Sequence, residues 1–185
     1  MGDRSPWTVC CLMDFMQIVK LMPNRWEEYR DLRLEALRTD PDAFGATIEG
    51  TLARPEAWWR DVLSTALVNP NKTAVFAELD GRLIGMAGAY PEEAPGCVDI
   101  TGMFVTPTQR GKGIGRRLLQ AVTDEVTAET VRLYVNASMT AAVTLYERFG
   151  FVTFTTGPVV RADGSSFDQL GMELRHYARS SSQTE

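Results

Sequence analysis

The sequence predicts an α+β fold, a mixed sheet packed by helices, and three observations carry that expectation. Short apolar runs and helix-period stretches follow one another in the order strand, two helices, three strands, helix, strand, helix, two strands. Asp80-Gly81 separates two apolar runs, and both residues tolerate the positive φ of a type I′ hairpin turn. Ile114, Leu118, Val122 and Val126 recur every four positions, the core stripe of an amphipathic helix.

Taken in order, Phe15 to Leu21 is an apolar run interrupted by Gln17 and reads as a first strand ending at Pro23. Asn24 stands where a helix N-cap belongs, with Glu27 three residues later and Trp26, Tyr29, Leu32 and Ala36 at helical spacing, so a helix is expected to run to Asp40 and Pro41. A second helix starts with Pro55 in its first turn, buries some of Ala57, Trp58, Val62 and Leu63, and ends before Asn69 and Pro70. Thr73 to Leu79 and Arg82 to Tyr90 form the hairpin. Cys97 to Val105 is the fourth strand, and Gly102 within it marks a bulge or a close approach of ligand to backbone. After the helix opening at Ile114, Val131 to Val135 alternates as a strand. Ser138 is placed to cap a helix carrying Ala142, Leu145, Tyr146 and Phe149, with Gly150 as its C′ residue. Phe151 to Thr155 and Phe167 to Leu174 close the sheet, joined by a turn-rich segment with Gly157, Pro158, Asp163 and Gly164.

The 185 residues suit one domain with a substantial core: residues 15–175, preceded by an extension over 1–14 and followed by a polar tail over 176–185. A net charge of -5 argues against a dedicated nucleic-acid partner, because neutralising phosphates needs a surplus of Lys and Arg on one face. Three cysteines, Cys10 and Cys11 adjacent and Cys97 distant, make neither a disulfide framework nor a metal pattern, so the chain reads as a cytoplasmic protein with reduced thiols and no bound metal. The N-terminus lacks the apolar core of a signal peptide, and no segment has the apolar length of a membrane span.

The chemistry concentrates between Val105 and Arg117. A glycine-rich turn that leaves a strand and opens a helix presents unpaired backbone N–H groups and the positive end of the helix dipole, which suits a phosphate. Arg110, Lys112, Arg116 and Arg117 add positive charge, although a plain strand-to-helix turn with solvated basic residues has the same spacing. A P-loop would need Ser or Thr after Lys112, where the chain has Gly113. A dinucleotide fingerprint would need its third glycine where the chain has Arg116, and an acidic residue where the next strand ends at Asn136.

The run Arg110-Gly111-Lys112-Gly113-Ile114-Gly115 resembles the signature of the GNAT N-acetyltransferase superfamily: Arg or Gln, two residues, Gly, one residue, Gly or Ala. Ala142, Leu145, Tyr146, Glu147, Arg148, Phe149, Gly150 and Phe151 resemble the same family's Leu-Tyr-Glu-basic-x-Gly-Phe helix end, and Leu34 to Gly45 resembles its first helix and following turn. The likeness covers about Phe15 to Leu174. It implies the acyl-CoA N-acyltransferase fold, a mostly antiparallel mixed sheet of six to seven strands flanked by about four helices. It also implies acetyl-CoA as acetyl donor, a small-molecule or peptide amine as acceptor, and a homodimer, which is common among such folds.

By that resemblance the fourth and fifth strands splay and the pantetheine arm pairs with backbone of Met103, Phe104 and Val105, while the pyrophosphate rests on the amides from Gly111 to Arg116. Gly113 and Gly115 would let the loop backbone reach the phosphate oxygens. The family mechanism is direct attack of a neutral amine on the thioester in a ternary complex. Tyr146 matches the family tyrosine near the sulfur and is the candidate proton donor to the leaving thiolate; packing alone is the other reading of a helix tyrosine. Asp99 stands where many relatives carry Glu. It is either a base acting through water or a polar residue that orders substrate. The family's Asn seven residues before the motif tyrosine is Met139 here, which cannot replace an amide hydrogen bond, and Asn136 and Ser138 are the nearby groups able to compensate. The same departure keeps a non-catalytic acyl-CoA-binding or sensing module in view. Tyr134 stands where some protein N-terminal acetyltransferases of the fold carry Glu, which weakens a ribosomal-protein substrate. Phe44, Trp58 and Trp59 are candidate walls of the acceptor pocket or ordinary packing residues, and His176 reads as a surface residue.

Overall fold

The computed structural model describes residues 16–161 and 164–175, which is nearly all of the predicted domain. Cys10, Cys11, Phe15, Asp163, His176 and the two predicted terminal segments lie outside the described residues. The elements are β1 (Gln17–Val19), α1 (Trp26–Thr39), α2 (Ile48–Leu52), α3 (Glu56–Val68), β2 (Thr73–Leu79), β3 (Arg82–Pro91), β4 (Cys97–Val105), α4 (Ile114–Glu125), β5 (Thr130–Asn136), α5 (Thr140–Phe149), β6 (Val152–Val160) and β7 (Ser166–Arg175). They form one seven-stranded sheet in the order β1-β2-β3-β4-β5-β7-β6. Every pairing is antiparallel except β4 with β5, which is parallel because α4 crosses between them.

Strand alternation divides the core between the two faces of the sheet. Val75 and Ala77 of β2 pack with Ile114, Leu118 and Val122 of α4, whereas Ala74 and Phe76 pack with Leu32 and Ala36 of α1 and Leu63 of α3. Ile114, Leu118 and Val122 of α4 and Val126 just past its end are all buried, as their spacing predicts, and each contributes roughly 1.5–3 kcal/mol of apolar burial. The hairpin turn is also as expected, with Asp80 and Gly81 both at positive φ.

A short helix, α2, joins the four that the sequence leads one to expect: Thr47 accepts a hydrogen bond from the Gly50 amide through Oγ1 (3.0 Å) and starts it. Three local expectations are corrected. Among the described residues no side chain caps α1; a single 3₁₀ turn over Pro23–Arg25 precedes it instead. Ser138 does not cap α5, because its N–H and hydroxyl both donate to Asn136 Oδ1 (3.0 and 2.9 Å). Gly157 and Pro158, read as turn residues, continue β6. This edge strand has one side free, so a proline there removes no ladder bond the sheet needs.

Candidate active site

Two strands that start as neighbours and then part create the opening. β4 pairs with β5 only from Cys97↔Thr130 to Ile100↔Leu133, although β4 runs on to Val105 and β5 to Asn136. The divergence begins at a bulge. Met86 of β3 faces Phe104 and Gly88 faces Thr101, so β4 carries one extra residue in between, and Gly102 there takes a positive φ. The backbone of Met103, Phe104 and Val105 therefore borders the gap without a β5 partner. The Val105 carbonyl accepts a bond from Arg110 Nε (2.9 Å) and keeps one lone pair.

At the end of β4 the chain turns through Pro107–Gln109 and enters α4. Gly111 and Gly113 both adopt positive φ, a left-handed conformation that glycine takes without strain. The first helical bond is donated by the Arg117 amide to the Gly113 carbonyl (3.2 Å). The amide N–H groups of Gly111, Lys112, Gly113, Ile114, Gly115 and Arg116 have no acceptor among the described residues, and the dipole of a twelve-residue helix adds to them. A β-carbon at Gly111 or Gly113 would meet no described atom within 4 Å, so the space before the loop is open. At Gly115 it would lie 3.1 Å from Leu145 Cδ2: this glycine lets α4 and α5 approach, a reason different from the phosphate contact expected for it.

The basic residues of the loop divide in their roles. Arg110 is tied to Asp40 as well as to the Val105 carbonyl, so it braces the turn against the end of α1. Lys112 Nζ donates to Gln109 Oε1 (2.8 Å), and Arg116 lies over the Phe149 ring at 5.4 Å. Neither has a carboxylate partner among the described residues, which leaves their charge for an anion.

Tyr146 belongs to the core on the α4 side of the sheet, 7% exposed, with its ring edge-on to Phe151. Its hydroxyl has no hydrogen-bond partner among the described residues, and burial pushes its pKa up to about 12. Ala142, one turn earlier, packs against the same core. Asn136, at the end of β5, is buried and uses its carbonyl oxygen on Ser138, leaving its amide nitrogen without an acceptor among the described residues. Met139 packs its side chain on the core, and its N–H donates to the Asn136 carbonyl (2.9 Å).

Asp99 points the other way. Its neighbours Val98 and Ile100 enter the α4-side core, so Asp99 and Thr101 face the α1 and α3 side. Its carboxyl is pushed up to about 7, first by burial, then by a hydrogen bond with Glu92 and the Glu92 charge, with Arg132 opposing. Asp99 Oδ1 is buried and unpartnered among the described residues. Tyr146 and Asp99 thus lie on opposite faces of the sheet, and Asp99 stands in the paired stretch of β4 and β5, one residue before its end.

Glu92, Arg132, Tyr90 and Arg33 join this region without having been singled out from the sequence. Tyr90 faces Asp99 across β3 and β4, and Arg132 faces it across β4 and β5. Only strand register brings them together. Of the predicted acceptor walls, Trp58 lines two cavities beside α1 and α3, Trp59 lines the second of them although it is buried and edge-on to Tyr29, and Phe44 lies beneath Arg33. Among the described residues no cluster of three or more His, Cys, Asp or Glu could hold a metal, and no helix is long and apolar enough to cross a membrane.

An exposed run of helix-start amides beside two parted strands is an arrangement able to hold an extended ligand that ends in an anionic group. Residues 26–151 match the model of the acetyltransferase (GNAT) family, and the chain belongs to that family. It is 38% identical over 92 residues to a mycothiol acetyltransferase of Streptomyces griseus; the match spans 47% of this chain and 29% of that relative's length. A GNAT-family acetyltransferase of Streptococcus pneumoniae has the same fold, with a TM-score of 0.77 at 18% identity over 88% of this chain and all of that one. So does the PaiA N-acetyltransferase of Thermoplasma acidophilum, solved in complex with coenzyme A, with a TM-score of 0.66 at 19% identity over 88% of this chain and 99% of that one.

Proposed function

We propose that this protein is an acetyl-CoA-dependent N-acetyltransferase that acts on a primary amine of a small molecule or peptide. The observation that carries the reading is the continuity between the unpaired ends of β4 and β5 and the six free amides from Gly111 to Arg116. An extended pantetheine arm fits a strand edge with open backbone groups, and a diphosphate fits the donors at the start of α4. Lys112, Arg116 and the Asn136 amide nitrogen complete a donor set for acetyl-CoA, whose thioester would supply the electrophilic carbonyl.

On the α1 and α3 face, Asp99 accepts a proton from the incoming ammonium, directly or through water, because a carboxyl raised to about 7 is a competent base near neutrality. On the opposite face, the Tyr146 hydroxyl donates a proton to the departing sulfur. Its partnerless hydroxyl and its burial keep it protonated until that moment. Direct attack within a ternary complex needs no nucleophile from the protein.

Met139 in place of a hydrogen-bonding residue favours one second reading, an acyl-CoA-binding module without turnover. Calorimetric titration with acetyl-CoA, combined with thiol release across a panel of amines, separates the two. Binding with amine-dependent thiol release is expected of the enzyme. Binding with none identifies the module, and absence of binding removes both.

A further inference from the structure

One cation on the acceptor side has no counter-ion among the described residues. Of the described arginines that make neither a hydrogen bond nor an ion pair, Arg33 alone is not exposed. Its guanidinium carbon lies 4.4 Å from the centre of the Phe44 ring, which supports one face of the group and leaves its five N–H donors in the free plane. A β-carbon built at Gly102 would come within 3.6 Å of Arg33 Nη1, so this charge stands at the bulge where β4 parts from β5.

Two cavities, of about 190 and 240 Å³, meet at Arg33 and Trp58, and among the described residues no Asp or Glu lines either one. Tyr29 and Tyr90 line the first, close enough for their hydroxyls to act electrostatically on Arg33. Burial disfavours the Arg33 charge, so an anion in the cavity would relieve a cost already present in the fold. The opposite charge lies at the far side of Tyr90, where Asp99 and Glu92 form a carboxyl pair.

We infer that the acceptor is an amine that also carries a carboxylate, an amino-acid-type substrate whose carboxylate is held by the Arg33 fork while its ammonium turns toward Asp99 and Glu92. The inference rests on the N-acetyltransferase reading and narrows its acceptor class. A fork supported from below by an aromatic ring recognises a planar carboxylate edge-on through two parallel bonds, and the flanking phenols supply further donors. A polyamine or aminoglycoside would place a second cation against Arg33, in a cavity with no acidic lining among the described residues to receive it.

Binding of the product-like acids tests this without turnover. Trp58 lines both cavities, so tryptophan fluorescence reports occupancy. N-acetyl-leucine, N-acetyl-phenylalanine and N-acetyl-glutamate would be titrated against their α-carboxamides, with and without CoA, into the wild type, Arg33→Gln and Arg33→Lys. The expected result is at least tenfold tighter binding of one or more acids than of the matching amide. That gap should shrink below about threefold in Arg33→Gln and be intermediate in Arg33→Lys, which keeps the charge and loses the fork. Equal affinity of acid and amide in the wild type, or no binding of any acid at millimolar concentration, overturns the inference, as does a gap unchanged in Arg33→Gln. The same pairs as free amines, followed by thiol release, keep the two readings apart. A retained gap in binding with no amine consumed removes the acetyltransferase and leaves the carboxylate pocket. Equal turnover of acids and amides leaves the acetyltransferase and removes the pocket.

Discussion

Arg132 faces Asp99 across the parallel strand pair, yet its Nη1 donates to Glu92 Oε2 at 3.1 Å and leaves Asp99 Oδ1 unpartnered among the described residues. The guanidinium thus gives its hydrogen bond to Glu92, and Asp99 is the member of the carboxyl pair pushed up to about 7. With a single acceptor throughout, the acidic limb of kcat/KM should fall near pH 7. Glu92→Gln removes both the repulsion and the shared hydrogen bond and should move that limb to lower pH. Arg132→Gln removes the one opposing charge and should move it higher. Asp99→Asn should abolish the limb and lower turnover about 100-fold or more. A limb that survives in Asp99→Asn would take the base assignment away from this residue.

The same carboxyl makes a prediction about stability. Its folded pKa of about 7 lies above the ordinary aspartate value, so between about pH 4 and 7 the native state holds a proton that the unfolded chain has released. Stability contributed by this group is present at low pH and declines as the pH rises through that window. Asp99→Asn removes the dependence. Because the residue is only half-buried, solvent screening reduces the effect well below the full value of the shift. Relative to wild type, the variant should therefore gain about 1 kcal/mol between pH 4 and pH 8, a melting shift of a few degrees. Melting curves at the two pH values measure it; a constant difference between variant and wild type contradicts it.

Tyr146→Phe separates catalysis from packing. The hydroxyl has no partner among the described residues, so its removal should change the melting temperature by no more than a degree or two. Loss of the proton donor should lower kcat about 100-fold or more while leaving acetyl-CoA affinity within a factor of two or three. A fall of only a few-fold would return the residue to packing.

Local chemistry made part of this site legible in the sequence. The left-handed glycines before α4, the four-residue stripe of that helix and the glycine in β4 each act within a few residues, and each stands where its spacing placed it. The seven strands were legible for the same reason, although the place of Pro158 within β6 was not, because only the sheet order shows that β6 is an edge. What the sequence hid is what register and packing assemble. Glu92, Asp99 and Arg132 come together from separate segments of the sheet, and Arg33 meets Gly102 from a helix nearly seventy residues earlier. Arg110 shows the same limit: its charge was visible in the motif, whereas its pairing with Asp40 was set by the turn after α1.

Gly113 and Gly115 occupy neighbouring motif positions and should respond differently to alanine. At Gly113 a side chain must adopt a left-handed φ, which costs about 1–2 kcal/mol, and any shift of the loop to relieve it turns the amides of Gly113 and Ile114 away from their shared direction. Gly113→Ala should lower the melting temperature by several degrees and weaken acetyl-CoA binding about tenfold or more. Gly115 lies inside α4 with ordinary backbone angles, and the nearest obstacle to a β-carbon is Leu145 Cδ2 at 3.1 Å, the end of a side chain that can turn aside. Alanine also gains about 1 kcal/mol over glycine in a helix, which offsets that repacking. Gly115→Ala should therefore melt within about two degrees of wild type and bind acetyl-CoA within about threefold. Should Gly115→Ala lose the ligand as fully as Gly113→Ala, the phosphates approach the first turn of α4 more closely than the packing of Leu145 allows.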